Sequence, residues 1–287
     1  MRLFVFGMGY SSTQFVKDHG HRFDWIGGTT RSKDKLPLLE SMGVTPFLFN
    51  GIKPEPTIIN ELVQASHILV SIGPGDMGDP VLSAYRHIIA EAQTNWIAYL
   101  STVGVYGDHD GAWVNEASEC RPVSKRSVQR VQAEKDWQEL AKHYALPLIV
   151  LRLAGIYGKG RNGFINLEKG SAKRIIKPGQ VFNRIHVEDI SGVLGSSLTR
   201  PITGIFNVCD DEPAPPQDVV SYAANLMGVA PPPEVPFEDA QMSPMARSFY
   251  GETKRCENSK VKEAFKYTFR YPTYREAFDT LWKVGYK

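Results

Sequence analysis

The chain has 287 residues, 42% of them hydrophobic, and its 33 basic and 31 acidic side chains leave a formal charge of +2. That balance, with no basic run of the length a localisation or heparin patch needs, removes the electrostatic case for a nucleic-acid partner. No apolar run approaches the ~20 residues of a membrane-spanning helix, so no membrane association is expected. Cys120, Cys209 and Cys256 lack the paired spacings of a zinc site, and no charged and apolar leader precedes the first strand. Reduced thiols, no metal and a cytoplasmic location are the expectation.

The first fifteen residues, MRLFVFGMGYSSTQF, carry the strongest local signal. Arg2–Phe6 is a run of β-preferring side chains stopped by Gly7, and it predicts a buried strand. Gly7 allows a sharp turn, and Gly9 removes a side chain where a diphosphate would approach the backbone. A helix starting near Tyr10 and Ser11 then points free amides at that anion. Ser12 takes the third small position of a G-x-G-x-x-G pattern. Gly7, Gly9, Tyr10, Ser11 and Ser12 are therefore candidate cofactor contacts.

The next elements alternate. Strands are predicted at 24–27, 45–49, 68–72, 96–100 and 148–153, and helices at 33–42, 58–64, 80–93 and 124–144. Repeated βα units imply a doubly wound parallel sheet. Gly73 and Pro74, where the fourth strand ends, are further candidate cofactor contacts. A carboxylate about 20 residues after the glycines would hold the ribose of NAD, and an arginine there suits the 2′-phosphate of NADP. Residues 27 to 31 read Gly-Gly-Thr-Thr-Arg, without an acid. Arg31 has the fork and the permanent charge for a phosphate, with Thr29, Thr30 and Ser32 as hydroxyl donors, so NADP is favoured and NAD stays possible. After Gly155 the rhythm loosens, with helices expected at 189–199, 217–227, 260–265 and 274–282, a strand at 205–208 and a rigid proline-rich crossing near Pro231–Pro236.

Four segments in order, GMGY at Gly7–Tyr10, STVGVYG at Ser101–Gly107, LRLAGIYGKGR at Leu151–Arg161 and NRIHVEDI at Asn183–Ile190, resemble the extended or atypical short-chain dehydrogenase/reductases of the epimerase/dehydratase type. The resemblance implies a Rossmann-type domain over residues 1–155, with 183–208 returning to it. It also implies a smaller C-terminal α/β substrate lobe from 156–182 and 209–287, a small sugar-nucleotide-like substrate, and a homodimer formed through the helices at 80–93 and 124–144. In that family a Ser or Thr bonds the substrate oxygen, and a Tyr with a Lys four residues on moves the proton. Counting back from Gly107 places Thr102 at the hydroxyl position, with Ser101 its neighbour.

The tyrosine and lysine are missing. Alignment through Ala133 and Glu134 puts Arg126 and Arg130 at their positions, on one helix face but unable to exchange protons near neutrality. The two arginines are expected to hold cofactor or an anionic substrate. His186 is a candidate proton carrier. Asp189 is expected to cap the following helix and Tyr157 to pack, and Asp108, His109 and Asp110 to form a solvated turn. An NADP-dependent oxidoreductase, epimerase or lyase with an atypical proton route and a non-catalytic NADP(H)-binding protein both fit this sequence; an empty scaffold leaves GMGY and Arg31 unexplained.

Overall fold

A computed structural model describes residues 1–200 and 202–287. The first half alternates strands and helices: β1 (Arg2–Phe6), α1 (Tyr10–His19), β2 (Trp25–Thr30), α2 (Leu36–Ser41), β3 (Thr45–Leu48), α3 (Pro56–Gln64), β4 (His67–Val70), α4 (Pro80–Glu91) and β5 (Trp96–Thr102). A short strand β6 (Trp113–Val114) precedes α5 (Lys125–Tyr144), β7 (Leu148–Leu153) and β8 (Gly155–Tyr157). Then come α6 (Gly163–Glu168), β9 (Arg174–Ile176), β10 (Arg184–His186), α7 (Val187–Ser197) and β11 (Gly204–Val208). The chain closes with α8 (Pro216–Met227), β12 (Glu234–Pro236), α9 (Pro244–Phe249), β13 (Arg255–Cys256), α10 (Ser259–Phe265) and α11 (Tyr274–Val284).

Seven strands form one parallel sheet in the order β11-β7-β5-β4-β1-β2-β3. The residues of β4 and β7 are buried along their whole length, as strands covered on both faces must be, which is why they read as apolar runs apart from His67 and Arg152. One core layer joins Leu3, Val5 and Leu151 to Phe15, Val193 and Leu194 from α1 and α7. The other joins Phe4, Phe6 and Val150 to Ile58, Tyr85 and Trp137 from α3, α4 and α5. Strand order reverses at β1, so a crevice opens between the turns that follow β1 and β4, where doubly wound sheets take their ligands.

Two expected elements move. The second strand does not stop at Gly27 but runs to Thr30. Its glycines are there for packing: a Cβ on Gly27 would stand 2.3 Å from the Trp25 ring, and one on Gly28 2.6 Å from Met8 Cγ. The helix expected over 33–42 shrinks to α2, because Lys33–Lys35 forms a tighter 3-10 turn and Pro37 sits in the first turn of α2. Three short parallel pairs, β8 with β10, β9 with β12 and β6 with β13, have no sequence signal, since two or three residues carry no readable period.

Candidate functional site

Gly7 takes φ +92°, and a Cβ there would meet Ile72 Cγ1 at 2.9 Å, so the turn after β1 requires glycine. No atom lies within 4 Å of where a Cβ on Gly9 would stand, which leaves room for a ligand to reach the backbone. α1 follows with no side-chain cap at Gly9 and no acid in its first turn, so the amides of Tyr10, Ser11 and Ser12 remain for an anion. Ser12 is fully buried, and its Oγ has no partner among the described residues. Tyr10 spans to the segment after β8, its hydroxyl donating to the Lys159 carbonyl at 2.8 Å. Burial pushes that hydroxyl's pKa up to about 12, with the nearby Arg161 cation opposing. The residues present thus fit a bound diphosphate.

At the end of β2 the hydroxyl set differs from expectation. Thr29 is buried and serves the turn itself, its Oγ1 accepting from Gly7 N at 2.8 Å and its carbonyl from Met8 N at 2.9 Å. Its hydroxyl is therefore unavailable to a ligand. Thr30 Oγ1 accepts from Ser32 N at 3.2 Å. Arg31 is exposed, and its guanidinium forms no ion pair among the described residues.

The turn after β4 carries Gly73 and Pro74, and Gly75 and Gly78 exchange backbone bonds at 3.0 and 3.1 Å. Asp76 ties that turn to α5 through Lys125 Nζ at 2.6 Å and Gln129 Nε2 at 2.7 Å. Thr102 ends β5, half-buried, with its hydroxyl accepting from Gly104 N at 3.1 Å. Its neighbour Ser101 turns inward and donates to Glu134. Glu134 also receives Arg152, with Nη2 at 2.7 Å from Oε2 and Nε at 3.2 Å from both oxygens. Burial works against the Arg152 charge, yet bonding to Glu134 outweighs it and holds the guanidinium pKa above its ordinary value. Sequence reading used Glu134 only to align the helix and missed Arg152, whose one signal was an arginine inside an apolar strand.

The two arginines expected to act as a pair face different neighbours. Arg130 is turned onto the sheet, with Nη1 donating to Tyr99 Oη at 3.0 Å and to the Leu100 carbonyl at 2.9 Å. Its Nη2 lies 3.0 Å from where a Cβ on Gly73 would stand, so that glycine makes room for it. Arg126 is exposed and reaches outward to Met245 Sδ at 3.6 Å, on α9.

His186, the candidate proton carrier, is buried rather than open to a ligand, and Tyr157 packs beside it. The parallel register of β8 and β10 sets them side by side, 5.3 Å between ring centroids, and Tyr271 covers His186 at 4.2 Å. His186 is 1% exposed, and its Nδ1 accepts from Glu188 N at 3.3 Å as the cap of α7. Burial, assisted by Arg270, pushes its pKa down to about 4, so it is neutral at pH 7. A neutral imidazole closed off from solvent is a packing and capping group. Asp189, expected as the cap, is instead an anchor: it accepts from Tyr267 Oη, Arg270 N and Tyr271 N at 2.9, 2.6 and 3.1 Å. Asp108 and His109 are half-buried and hold backbone, Asp108 Oδ1 accepting from Thr253 N at 2.8 Å. Beside them Lys254 Nζ donates to the Gly107 carbonyl at 2.9 Å, locking the turn that follows Thr102.

The model of the NAD dependent epimerase/dehydratase family matches residues 75–196. A solved structure described as a functionally unknown conserved protein from Silicibacter pomeroyi is 46% identical, covers 100% of this chain and 99% of its own, and superposes with a TM-score of 0.91. UDP-glucuronic acid 4-epimerase from Bacillus cereus, solved with UDP-glucuronic acid and NAD, shares the fold at 16% identity, with 99% and 98% coverage and a TM-score of 0.78. Human epimerase family protein SDR39U1, solved with NADPH, does so at 16% identity, with 99% and 100% coverage and a TM-score of 0.73. A curated Streptomyces protein, 3-diazoavenalumate denitrifying reductase, is 26% identical over 157 residues, and the match spans 51% of its length, about half. Residues 75–196 thus match the NAD dependent epimerase/dehydratase model, and the seven-stranded parallel sheet is the fold of the epimerase structures it resembles.

Proposed function

We propose that the chain binds NADP(H) in preference to NAD(H) and is an oxidoreductase or epimerase acting on a small, sugar-nucleotide-like substrate through a site without the Tyr-x-x-x-Lys pair. The observation that carries this reading is the open, amide-lined turn over Gly9 together with an exposed Arg31 just after β2 that forms no ion pair among the described residues. The bound nicotinamide supplies or accepts the hydride. Gly7 and Gly9 let the diphosphate approach, and Arg31, with Thr30 and Ser32 beside it, takes the adenosine 2′-phosphate. Thr102 donates a hydrogen bond to the substrate oxygen, and Arg126 holds an anionic part of the substrate. Neither arginine moves a proton, because guanidinium stays charged throughout the working pH range. Residues 156–182 and 209–287 form the substrate lobe, and Met245 on α9 meets Arg126. Homodimerisation through α4 and α5 goes with this reading, supported by the exposed Val128 and Tyr144 on α5; a monomer by light scattering at micromolar concentration overturns it.

A second reading, a non-catalytic NADP(H)-binding protein, is favoured by one observation: Arg130 is spent on Tyr99 and Leu100, and His186 is shut away from solvent. Calorimetric titration of the purified protein with NADPH and NADH tests the shared core of both readings, and equal affinities refute the NADP preference. Adding alcohols and sugar nucleotides to the loaded protein and following nicotinamide absorbance separates them. Reduction or oxidation of the nicotinamide supports the enzyme, and its absence across the panel supports the binding protein.

A further inference from the structure

We infer that Arg161, with Lys159 beside it, closes over the cofactor diphosphate from the side opposite α1, on a loop that Tyr10 holds in place. This inference rests on the dinucleotide reading above and adds residues to it. The loop is a closed turn: Gly158 N donates to the Arg161 carbonyl at 2.9 Å and Arg161 N to the Gly158 carbonyl at 3.0 Å. It is pinned from three sides. Tyr10 Oη holds the Lys159 carbonyl at 2.8 Å, Asn162 Nδ2 holds the Gly158 carbonyl at 2.9 Å, and the Tyr286 carbonyl accepts from Gly160 N at 2.9 Å and from Asn162 Nδ2 at 2.8 Å. Contact with the turn after β1 is close enough that a Cβ on Gly158 would stand 2.7 Å from Tyr10 Oη and 3.2 Å from His186 Nε2.

A loop held at Gly158, Lys159 and Gly160 thus sets the Arg161 guanidinium against Tyr10 at the start of α1, with Lys159 two residues before it in the chain. Arg161 Cζ is 5.9 Å from the centre of the Tyr10 ring, and the guanidinium forms no hydrogen bond or ion pair among the described residues; nor does the Lys159 ammonium. Glu188, the acid whose charge acts on Tyr10, is taken by Arg270 Nη1 at 2.9 Å and Tyr271 Oη at 3.2 Å. On the helix side, α1 starts with no side-chain cap and no acid in its first turn, so its first amides are open to an anion. Unpaired cations facing a helix N-terminus that lacks acids leave an excess of positive potential between them, and a dianionic diphosphate answers it. Neither the helix nor the loop alone supplies donors on both sides of such a ligand.

The test uses ligands that divide the cofactor. ADP-ribose carries the diphosphate without the 2′-phosphate, and adenosine 2′-monophosphate carries the 2′-phosphate without the diphosphate. Arg161→Gln is expected to weaken ADP-ribose and NADPH by about tenfold or more, to flatten the salt dependence of both, and to leave adenosine 2′-monophosphate unchanged. Arg161→Lys is expected to recover part of the loss, and Tyr10→Phe to show a smaller change in the same direction. Arg31→Ala is the converse control, weakening adenosine 2′-monophosphate and sparing ADP-ribose. If Arg161→Gln binds ADP-ribose as the wild type does, the closing role is wrong while the cofactor reading stands. If the wild type binds none of the three, the cofactor reading falls and this inference with it.

Discussion

Arg152 Nη2 lies 2.7 Å from Glu134 Oε2, with both side chains 5% exposed or less, and this pair fastens α5 to the sheet beneath the site. Breaking one partner leaves a buried charge uncompensated, which typically costs 3–5 kcal/mol, whereas replacing both with apolar groups of similar volume is often neutral. Arg152→Met alone and Glu134→Leu alone are therefore expected to lower stability by about that amount, and the double variant by much less. Urea unfolding of the four proteins gives the cycle; additive single losses would mean that the pair is not acting as a unit.

Arg31→Ala is expected to raise the NADPH dissociation constant by roughly ten- to a hundredfold, the loss of one charge-assisted phosphate clamp, and to leave NADH within about twofold. Fluorescence titration of both cofactors reads it. A parallel fall for NADH would place Arg31 at the diphosphate or in the fold.

Arg126 and Arg130 should behave unlike each other. Arg130→Ala removes donors from Tyr99 Oη and the Leu100 carbonyl and takes a cation from the buried Asp79, whose pKa burial raises. It is expected to cost about 1–3 kcal/mol of stability. Arg126→Ala, at an exposed position, is expected to stay within about 0.5 kcal/mol and to show its effect only in substrate affinity. Thermal melts of both variants decide it. Arg126→Tyr with Arg130→Lys, restoring the family pair, is expected to bring oxidoreductase activity on a ligand the wild type already binds. Fast wild-type turnover that Arg126→Ala abolishes at unchanged cofactor affinity would overturn this assignment.

Acid should loosen the junction around His186. Its pKa is about 4 folded against 6.5 unfolded, because burial, with Arg270, disfavours the charged ring. Between those values the unfolded chain binds more protons, so this contribution is complete above pH 6.5 and disappears as pH falls towards 4, at most about 3 kcal/mol. Asp79, Asp189 and Asp210, all raised by burial, act in the opposite sense over part of that range. The comparison must therefore be with His186→Gln: the wild type is expected to lose stability relative to that variant between pH 6.5 and 4.5. A constant difference across this range would show that His186 does not titrate with unfolding.

The parallel sheet was legible because its central strands are apolar on both faces, a property that survives in composition alone. The turn over Gly7 and Gly9 was legible because the conformation at Gly7 requires glycine and the space over Gly9 is left open. Thr29 and His186 were not. Whether a threonine faces a ligand or its own backbone, and whether a histidine lies in a cleft or under Tyr271, depends on segments dozens of residues away. Arg126 and Arg130 share a helix spacing, and only Tyr99 and Met245 reveal that they part. The loop from Gly158 to Arg161 was visible as a motif, but its contact with Tyr10 joins positions 149 residues apart and leaves no local trace.

The bond from Lys254 Nζ to the Gly107 carbonyl joins residues 147 apart, and β6 waits for β13 across a similar gap. At the ~5–20 residues per second of translation, the turn behind Thr102 stays unlatched for roughly 7 to 30 s after it leaves the ribosome. The strands that cradle Gly7 and Gly9, β1, β2 and β4, are complete within the first quarter of the chain. The strands around the glycine turn are thus synthesised early and the contacts that seal the Thr102 side last, so a truncated chain would have the sequence for the first and lack the second.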